Sequence, residues 1–208
     1  TSHAGMDGGI AVTASHNPAE YIGMKMARQG AVPMSREHGI GAIEERILSG
    51  NLPADADQPG SLTEADFKEE YARMVSSHAH FGRRLKVVVD AGNGMGGLEF
   101  PLVAKHLDLD VIPLYFELDG SFPNHEANPL DHGTLQVLIE TVKREGADLG
   151  IAFDGDADRA GFVDNEGNVV TNDLATAIMA RDVLSREKGP VVYDLRSSRA
   201  LPETIIEC

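Results

Sequence analysis

Three aspartates separated by single residues, Asp154, Asp156 and Asp158, stand in the run Asp-Gly-Asp-Ala-Asp-Arg at 154–159. Carboxylates at i, i+2 and i+4 repel one another unless a cation offsets their charge. Their hard oxygens favour Mg²⁺, Ca²⁺ or Mn²⁺ over zinc. An EF-hand does not fit, because its sixth position would be Arg159 instead of glycine and its twelfth Asn165 instead of glutamate. The competing explanation is a solvated acidic turn. Against it, the apolar run at 150–153 directly before the aspartates puts them just beyond the carboxyl end of a buried strand. Parallel α/β sheets place their sites there. A second run, Thr13-Ala14-Ser15-His16-Asn17-Pro18, follows the apolar β-prone residues 9–14. A serine on a tight loop after a strand, next to a histidine, suits a nucleophile or a phosphate carrier. No G-x-S-x-G surrounds it, so it is not a hydrolase elbow. Neighbours in sequence seldom point the same way, and an ordinary turn serine is the competing explanation.

The elements that must hold these loops can be read from periodicity. Strands are expected at 9–14 and 24–28, and the spacing of Ile40, Ile43 and Ile47 predicts a helix over 37–48. Residues 49–62, rich in Gly, Pro and Asp, read as a surface connection. Thr63 to Asp66 resembles a capping box with Asp in the usual Glu position, predicting a helix from there to about residue 81. Beyond Arg83-Arg84 the pattern becomes strand (85–90), glycine-rich turn and apolar helix (92–107), then strand (110–115). Leu135, Leu138, Ile139 and Val142 mark an amphipathic helix that Gly146 can close, and a strand follows at 148–153. A helix at 172–186 and a strand at 190–194 complete the reading. Alternating strands and helices at this spacing mean βαβ units, hence an α/β fold with mixed, mainly parallel sheets and helices on both faces.

Composition bounds the function. The chain has 208 residues, with 18 Lys+Arg against 33 Asp+Glu and a formal net charge of −15. Such a field repels nucleic-acid phosphates and attracts cations, so no nucleic-acid partner is expected. Hydrophobic residues at 42% and charged residues at 25% fit a folded globular protein. No apolar run approaches the ~18–20 residues needed to cross a bilayer, and no membrane partner is expected. The one cysteine, Cys208, allows no intrachain disulfide, which fits a reducing, cytoplasmic compartment. Near the start, Ser2-His3 reads as the remnant of a cleaved tag. Only 14 residues follow the strand expected at 190–194. Together these ends suggest a piece of something longer.

The hexapeptide Thr-Ala-Ser-His-Asn-Pro at 13–18 and Asp-Gly-Asp-Ala-Asp-Arg at 154–159 resemble the phosphoserine loop and the metal-binding loop of the α-D-phosphohexomutases, the phosphomannomutase and phosphoglucomutase enzymes. Glu20-Tyr21-Ile22-Gly23-Met24-Lys25, residues 89–96 (Val-Asp-Ala-Gly-Asn-Gly-Met-Gly) and Phe122-Pro123-Asn124-His125 add to the likeness, in the family's order. The resemblance implies phosphohexomutase-type domains: 1–81 as the later part of domain 1, 82–186 as domain 2, and 187–208 as the start of domain 3. It implies a reaction in which Ser15 carries a phosphoryl group, donates it to a hexose 1- or 6-phosphate, and recovers the other phosphate from a hexose 1,6-bisphosphate. Asp154, Asp156 and Asp158 would hold Mg²⁺ together with one phosphoserine oxygen. Lys25 and Arg159 would offset the excess negative charge, His16 would move a proton or contact phosphate, and Asn17 would help bind substrate. The family commonly has Asn at the place of Ile22 and an aromatic at that of Met24. Its Gly-Glu-x-Ser-Gly-type sugar loop and its C-terminal phosphate-binding domain are not in these residues, so the remaining domains of a parent chain are expected partners.

Two other readings stand beside this one. Residues 151–156 (Ile-Ala-Phe-Asp-Gly-Asp) also resemble the strand and D-x-D loop of haloacid-dehalogenase-like phosphatases, with Asp154 as nucleophile and Asp156 as acid. Asp158 then stands where Thr or Val is expected, and residues 13–18 go unexplained. The third reading is a metal- and phosphate-binding piece without turnover.

Overall fold

In the computed structural model, which describes residues 1–15, 17 and 20–208, the chain divides into two units, Thr1–Phe67 and Lys68–Cys208. In the first unit β1 (Gly8–Val12) pairs antiparallel with β2 (Met24–Arg28), Ile10 opposite Met26 and Val12 opposite Met24. Strand β2 also pairs with the short β3 (Val32–Pro33), which the sequence reading did not assign. Strand β1 ends earlier than expected because the Thr13 hydroxyl accepts from Ser15 N at 2.9 Å, drawing the backbone into a turn. Helix α1 (Gly41–Ser49) likewise starts later than the spacing predicts. Gly39, at φ 126°, lies outside helical space, and the Ser35 hydroxyl closes the preceding turn by accepting from His38 N. Gly50, at φ 69°, ends the helix.

The capping box expected at 63–66 does not start a helix. Helix α2 (Lys68–Ser76) begins beyond it. Residues 61–67 are all exposed, so no burial there offsets the cost of nucleating a helical turn. Ala72 is the first fully buried residue after this stretch, and α2 lies against α3 (Gly96–Ala104) in the second unit.

The second unit is built on a five-stranded sheet. Its strands are β4 (Leu85–Asp90), β5 (Leu109–Leu114), β6 (Leu149–Phe153), β7 (Ala160–Asp164) and β8 (Val169–Val170), in the order β5-β4-β6-β7-β8. Strand β4 pairs parallel with β5 and β6, Val88 standing opposite Ile112 and Gly150, whereas β7 and β8 add antiparallel. The sheet is thus mixed, as expected, but the antiparallel edge at 160–170 was not assigned from sequence. Helix α4 (Gln136–Glu145) ends at Gly146, φ 59°, as its periodicity predicts. Its Leu138 and Val142 pack with Val88, Ala152 and Val163 on one face of the sheet. A Cβ on Gly150 would stand 2.8 Å from Val142, so glycine lets the helix approach β6. On the other face Phe153 meets Phe100 of α3, ring centroids 5.8 Å apart. Helices therefore cover both faces.

The strand expected at 190–194 does not form. A strand is stable only when its backbone groups are paired, and this segment has no ladder; Val192 is 98% exposed. Helix α5 (Asn172–Arg186) matches the prediction, and an unassigned α6 (Ala200–Glu207) packs on it through the buried Leu201.

Candidate functional site

The aspartate loop is the connection between β6 and β7. Phe153 and Ala160 face each other as the last ladder pair, and the six residues between them form the turn. Its neck is closed by Asp154 N donating to Arg159 O at 3.2 Å and by Arg159 N donating to Asp154 Oδ1 at 3.0 Å. Within it Ala157 N donates to Asp154 O, and Ala157 takes φ 57°, a left-handed conformation that costs a residue with a Cβ. The tight turn gathers the carboxylates: one oxygen each from Asp154, Asp156 and Asp158 lie within 4.8 Å of one another.

Exposure is graded across the three. Asp154 is fully buried, Asp156 half-buried and Asp158 exposed, so the cluster opens outward from the end of β6. The Arg159 guanidinium donates to Asp154 Oδ2 from Nε and from Nη2, both at 2.8 Å, and its Nε is 3.6 Å from Asp158. Three carboxylates and one guanidinium leave −3 + 1 = −2 on the loop, the charge one divalent cation balances. An all-oxygen donor set suits a hard ion such as Mg²⁺.

A supporting layer stands behind the loop at the end of β4. A Cβ on Gly94 would lie 2.7 Å from Gly155 O, and Met95 N donates to that same oxygen at 3.0 Å. Only glycine lets the turn after β4 press on the backbone between two of the aspartates. Asp90, buried at the strand's end, accepts from Gly92 N at 2.8 Å and lies 3.0 Å from His125 Nε2. The Asp90 carboxylate holds the His125 pKa above the usual histidine range. In the sequence these segments carry only a likeness, and nothing in it pairs the buried Asp90 with the half-buried His125. A carboxylate ending an apolar strand was the available signal, but its partner lies 35 positions away.

In the first unit, Ser15 sits in the β1–β2 connection at φ 56°. Thr13 N donates to Gly23 O at 3.0 Å, and Asn17 N to Ala14 O at 3.0 Å, which draws the loop tight. A Cβ on Gly23 would be 2.3 Å from Thr13 O, so this crossing requires glycine. Thr13, Ser15, Asn17, Tyr21 and Lys25 line a shallow cavity of about 270 Å³. The structure thus brings Ser15, Asn17 and Lys25 to one cavity, and Asp154, Asp156, Asp158 and Arg159 to one loop. Ile22, where the resembling family commonly has Asn, is 83% exposed. His16 lies outside the described residues.

Comparisons with known proteins identify the family of the chain. Residues 1–53 match the family described as phosphoglucomutase/phosphomannomutase, alpha/beta/alpha domain I, and residues 65–167 match its domain II. A phosphomannomutase/phosphoglucomutase of Pseudomonas syringae pv. tomato is 42% identical over 200 residues, 96% of this chain and 42% of that protein. A phosphoglucomutase of Neisseria meningitidis serogroup B is 38% identical over 202 residues, 96% of this chain and 43% of its own length. A crystal structure of a phosphoglucomutase/phosphomannomutase family protein from Burkholderia thailandensis superposes with a TM-score of 0.88 at 34% identity, covering 97% of this chain and 43% of the other. The chain thus spans about two fifths of the length of these relatives.

Proposed function

From the premise that the chain belongs to the phosphoglucomutase/phosphomannomutase family, we propose that it carries the phosphoserine- and metal-bearing part of a phosphohexomutase acting on hexose phosphates. The relatives that support this are named for phosphomannose and phosphoglucose mutases. The observation that carries it is the gathered triad of Asp154, Asp156 and Asp158 in a chain that also presents Ser15 beside Lys25. On this reading 187–208 begins a further domain, other domains of a parent chain complete the substrate site, and the compartment is the cytoplasm. Among the described residues no helix is long and apolar enough to cross a membrane.

Ser15 Oγ carries the phosphoryl group and passes it to a free hydroxyl of a hexose 1- or 6-phosphate. The P–Oγ bond breaks as the new P–O(sugar) bond forms, and the hydroxyl proton leaves to a nearby base, a role assigned to His16. The hexose 1,6-bisphosphate then turns and returns its other phosphate to Ser15 Oγ. Lys25 sets its ammonium against the phosphate and Asn17 contacts substrate; both line the cavity that Ser15 also lines. Phosphoryl transfer asks a protein chiefly for positioning and charge stabilisation, which these groups offer. Asp154, Asp156 and Asp158, with one phosphoserine oxygen, would hold Mg²⁺, whose contribution is to neutralise charge on the transferring phosphate. Arg159 serves the same end by fastening Asp154 and offsetting part of the loop's charge.

The phosphatase alternative asks Asp154 to attack phosphorus. Asp154 is fully buried and its Oδ2 accepts two guanidinium bonds, an environment that suits a fixed ligand better than a nucleophile. The test is transfer from glucose 1,6-bisphosphate and from mannose 1,6-bisphosphate, read as a phosphate adduct by intact mass. We expect an adduct on the unsubstituted 208-residue chain and none on its Ser15→Ala variant. An adduct that survives Ser15→Ala, or that moves to Asp154, would overturn the proposal.

A further inference from the structure

The turn after β4 is held from two sides. On one side Asn93, buried and at φ 61°, donates from Nδ2 to Glu117 O at 2.8 Å. A carbonyl can only accept, so this bond sets the orientation of the amide and leaves Asn93 Oδ1 to accept from Asn124 Nδ2 at 2.7 Å. The backbone repeats the connection: Asn93 N donates to Tyr115 O at 2.9 Å, and Asn93 O accepts from Asp119 N at 3.0 Å. On the other side Gly94 and Met95 press on Gly155, between Asp154 and Asp156. The turn is therefore a wedge, with the 115–124 segment behind it and the backbone of the carboxylate loop in front.

We infer that Asn93, together with Asn124, is a positioning residue for the three aspartates, because it holds the 91–95 turn against Gly155 and so sets the spacing of the carboxylates. The inference rests on the reading of that loop as a divalent-cation site. Neither asparagine is a ligand there, and both act through Gly94 and Met95. A positioning role differs from plain stabilisation in one measurable way. Mg²⁺ demands near-ideal octahedral geometry, whereas Ca²⁺ accepts flexible coordination. Loosening the wedge should then penalise Mg²⁺ more than Ca²⁺, while a loss of general stability should weaken both alike.

The experiment is calorimetric titration of the 208-residue chain with MgCl₂ and separately with CaCl₂, on the parent and on Asn93→Gly, Asn124→Ala and Asp156→Asn. Glycine keeps the left-handed backbone at 93 and removes both side-chain links. For Asn93→Gly we expect Mg²⁺ affinity to fall about 10-fold, at the low end of losses seen when groups behind metal ligands are removed, and Ca²⁺ affinity by less than about 3-fold. Asn124→Ala should shift both in the same direction by less. A chain carrying both Asn93→Gly and Asn124→Ala should be no weaker than Asn93→Gly, since the one bond that Asn124→Ala breaks is already absent from Asn93→Gly. An Asn93→Gly chain that binds Mg²⁺ within about 2-fold of the parent, or that loses both ions equally, overturns the inference. Should Asn93→Gly fail to fold by circular dichroism, Asn124→Ala decides alone, and an unchanged Mg²⁺/Ca²⁺ ratio in it overturns the inference. A parent chain that binds neither ion, or an Asp156→Asn chain that binds as well as the parent, brings down the cation site itself and the positioning role with it.

Discussion

The two candidate loops rest on very different ground. The aspartate loop follows a strand of a five-stranded sheet whose Val88 and Val163 are 0% exposed, as is Leu138 of α4 packed on them, with helices on both faces. The serine loop joins two strands of a three-stranded sheet in which Ile10 is 64% and Val12 70% exposed. Among the described residues of Thr1–Phe67, none is buried. Hydrophobic burial is the dominant favourable term in folding. The second unit has that term, so its loop geometry is set by packing. The first unit is held by its antiparallel ladder and by close backbone crossings such as Gly23 over Thr13.

That contrast can be broken most directly in the core. Leu138→Ala should destabilise the second unit by about 2–5 kcal/mol, the cost of a deleted leucine plus the cavity it leaves, whereas an exposed Ile10→Ala should change stability by no more than about 0.5 kcal/mol. Urea unfolding followed by circular dichroism measures both. Similar losses at the two positions would show that the first unit's sheet face is buried in solution.

Metal addition comes next in size. At a hundredfold excess over its dissociation constant, Mg²⁺ should stabilise the second unit by about 2.7 kcal/mol through mass action. Asp156→Asn should lose most of that response and Asp57→Asn, in the exposed connection, almost none of it. Equal losses in thermal melts would indicate diffuse screening instead of a site. Glycine substitutions test the two crossings. Gly94→Ala should cost about 1–3 kcal/mol and diminish the Mg²⁺ response, because its Cβ meets backbone that cannot move aside. Gly23→Ala should leave the second unit's melting unchanged and speed amide exchange in β1 and β2. Exchange that stays slow would mean the serine loop tolerates the added carbon.

The smallest effect is on pH dependence. His125 has a pKa raised above its ordinary 6.5, so the folded form binds the proton more tightly than the unfolded form. Its contribution to stability is fully present below pH 6.5 and is lost as pH rises through the folded value. Melting temperature should therefore decline across that window more steeply in the parent than in His125→Asn. Parallel slopes would show that the Asp90–His125 contact carries no protonation-linked stability.

Much of this architecture was legible in the residues alone. Helix α4 and its Gly146 stop follow from a 3.6-residue period and a residue free to take φ 59°, and β4 and β6 from short apolar runs. The aspartate triad was legible because mutual repulsion is a property of spacing, and the turn that follows β6 gathers the oxygens within 4.8 Å. The strand expected at 190–194 and the helix start at Thr63 failed for one reason: local propensity needs burial to be realised, and residues 61–67 and 192–196 are exposed.

Sequence by itself determined the residue types at both loops, the net charge of −15, the periods of the main elements and the glycines that permit close crossings. Tertiary structure alone decided that β7 and β8 extend the sheet antiparallel, that Asp90 meets His125, and that Asn124, 31 positions along the chain, reaches Asn93. The division has a physical origin. Turn conformation, charge repulsion and periodicity act between near neighbours and are written in adjacent letters. Ladder pairing and buried hydrogen bonds join residues that only the collapse of the whole chain brings into reach, and their worth depends on a burial that no local window contains.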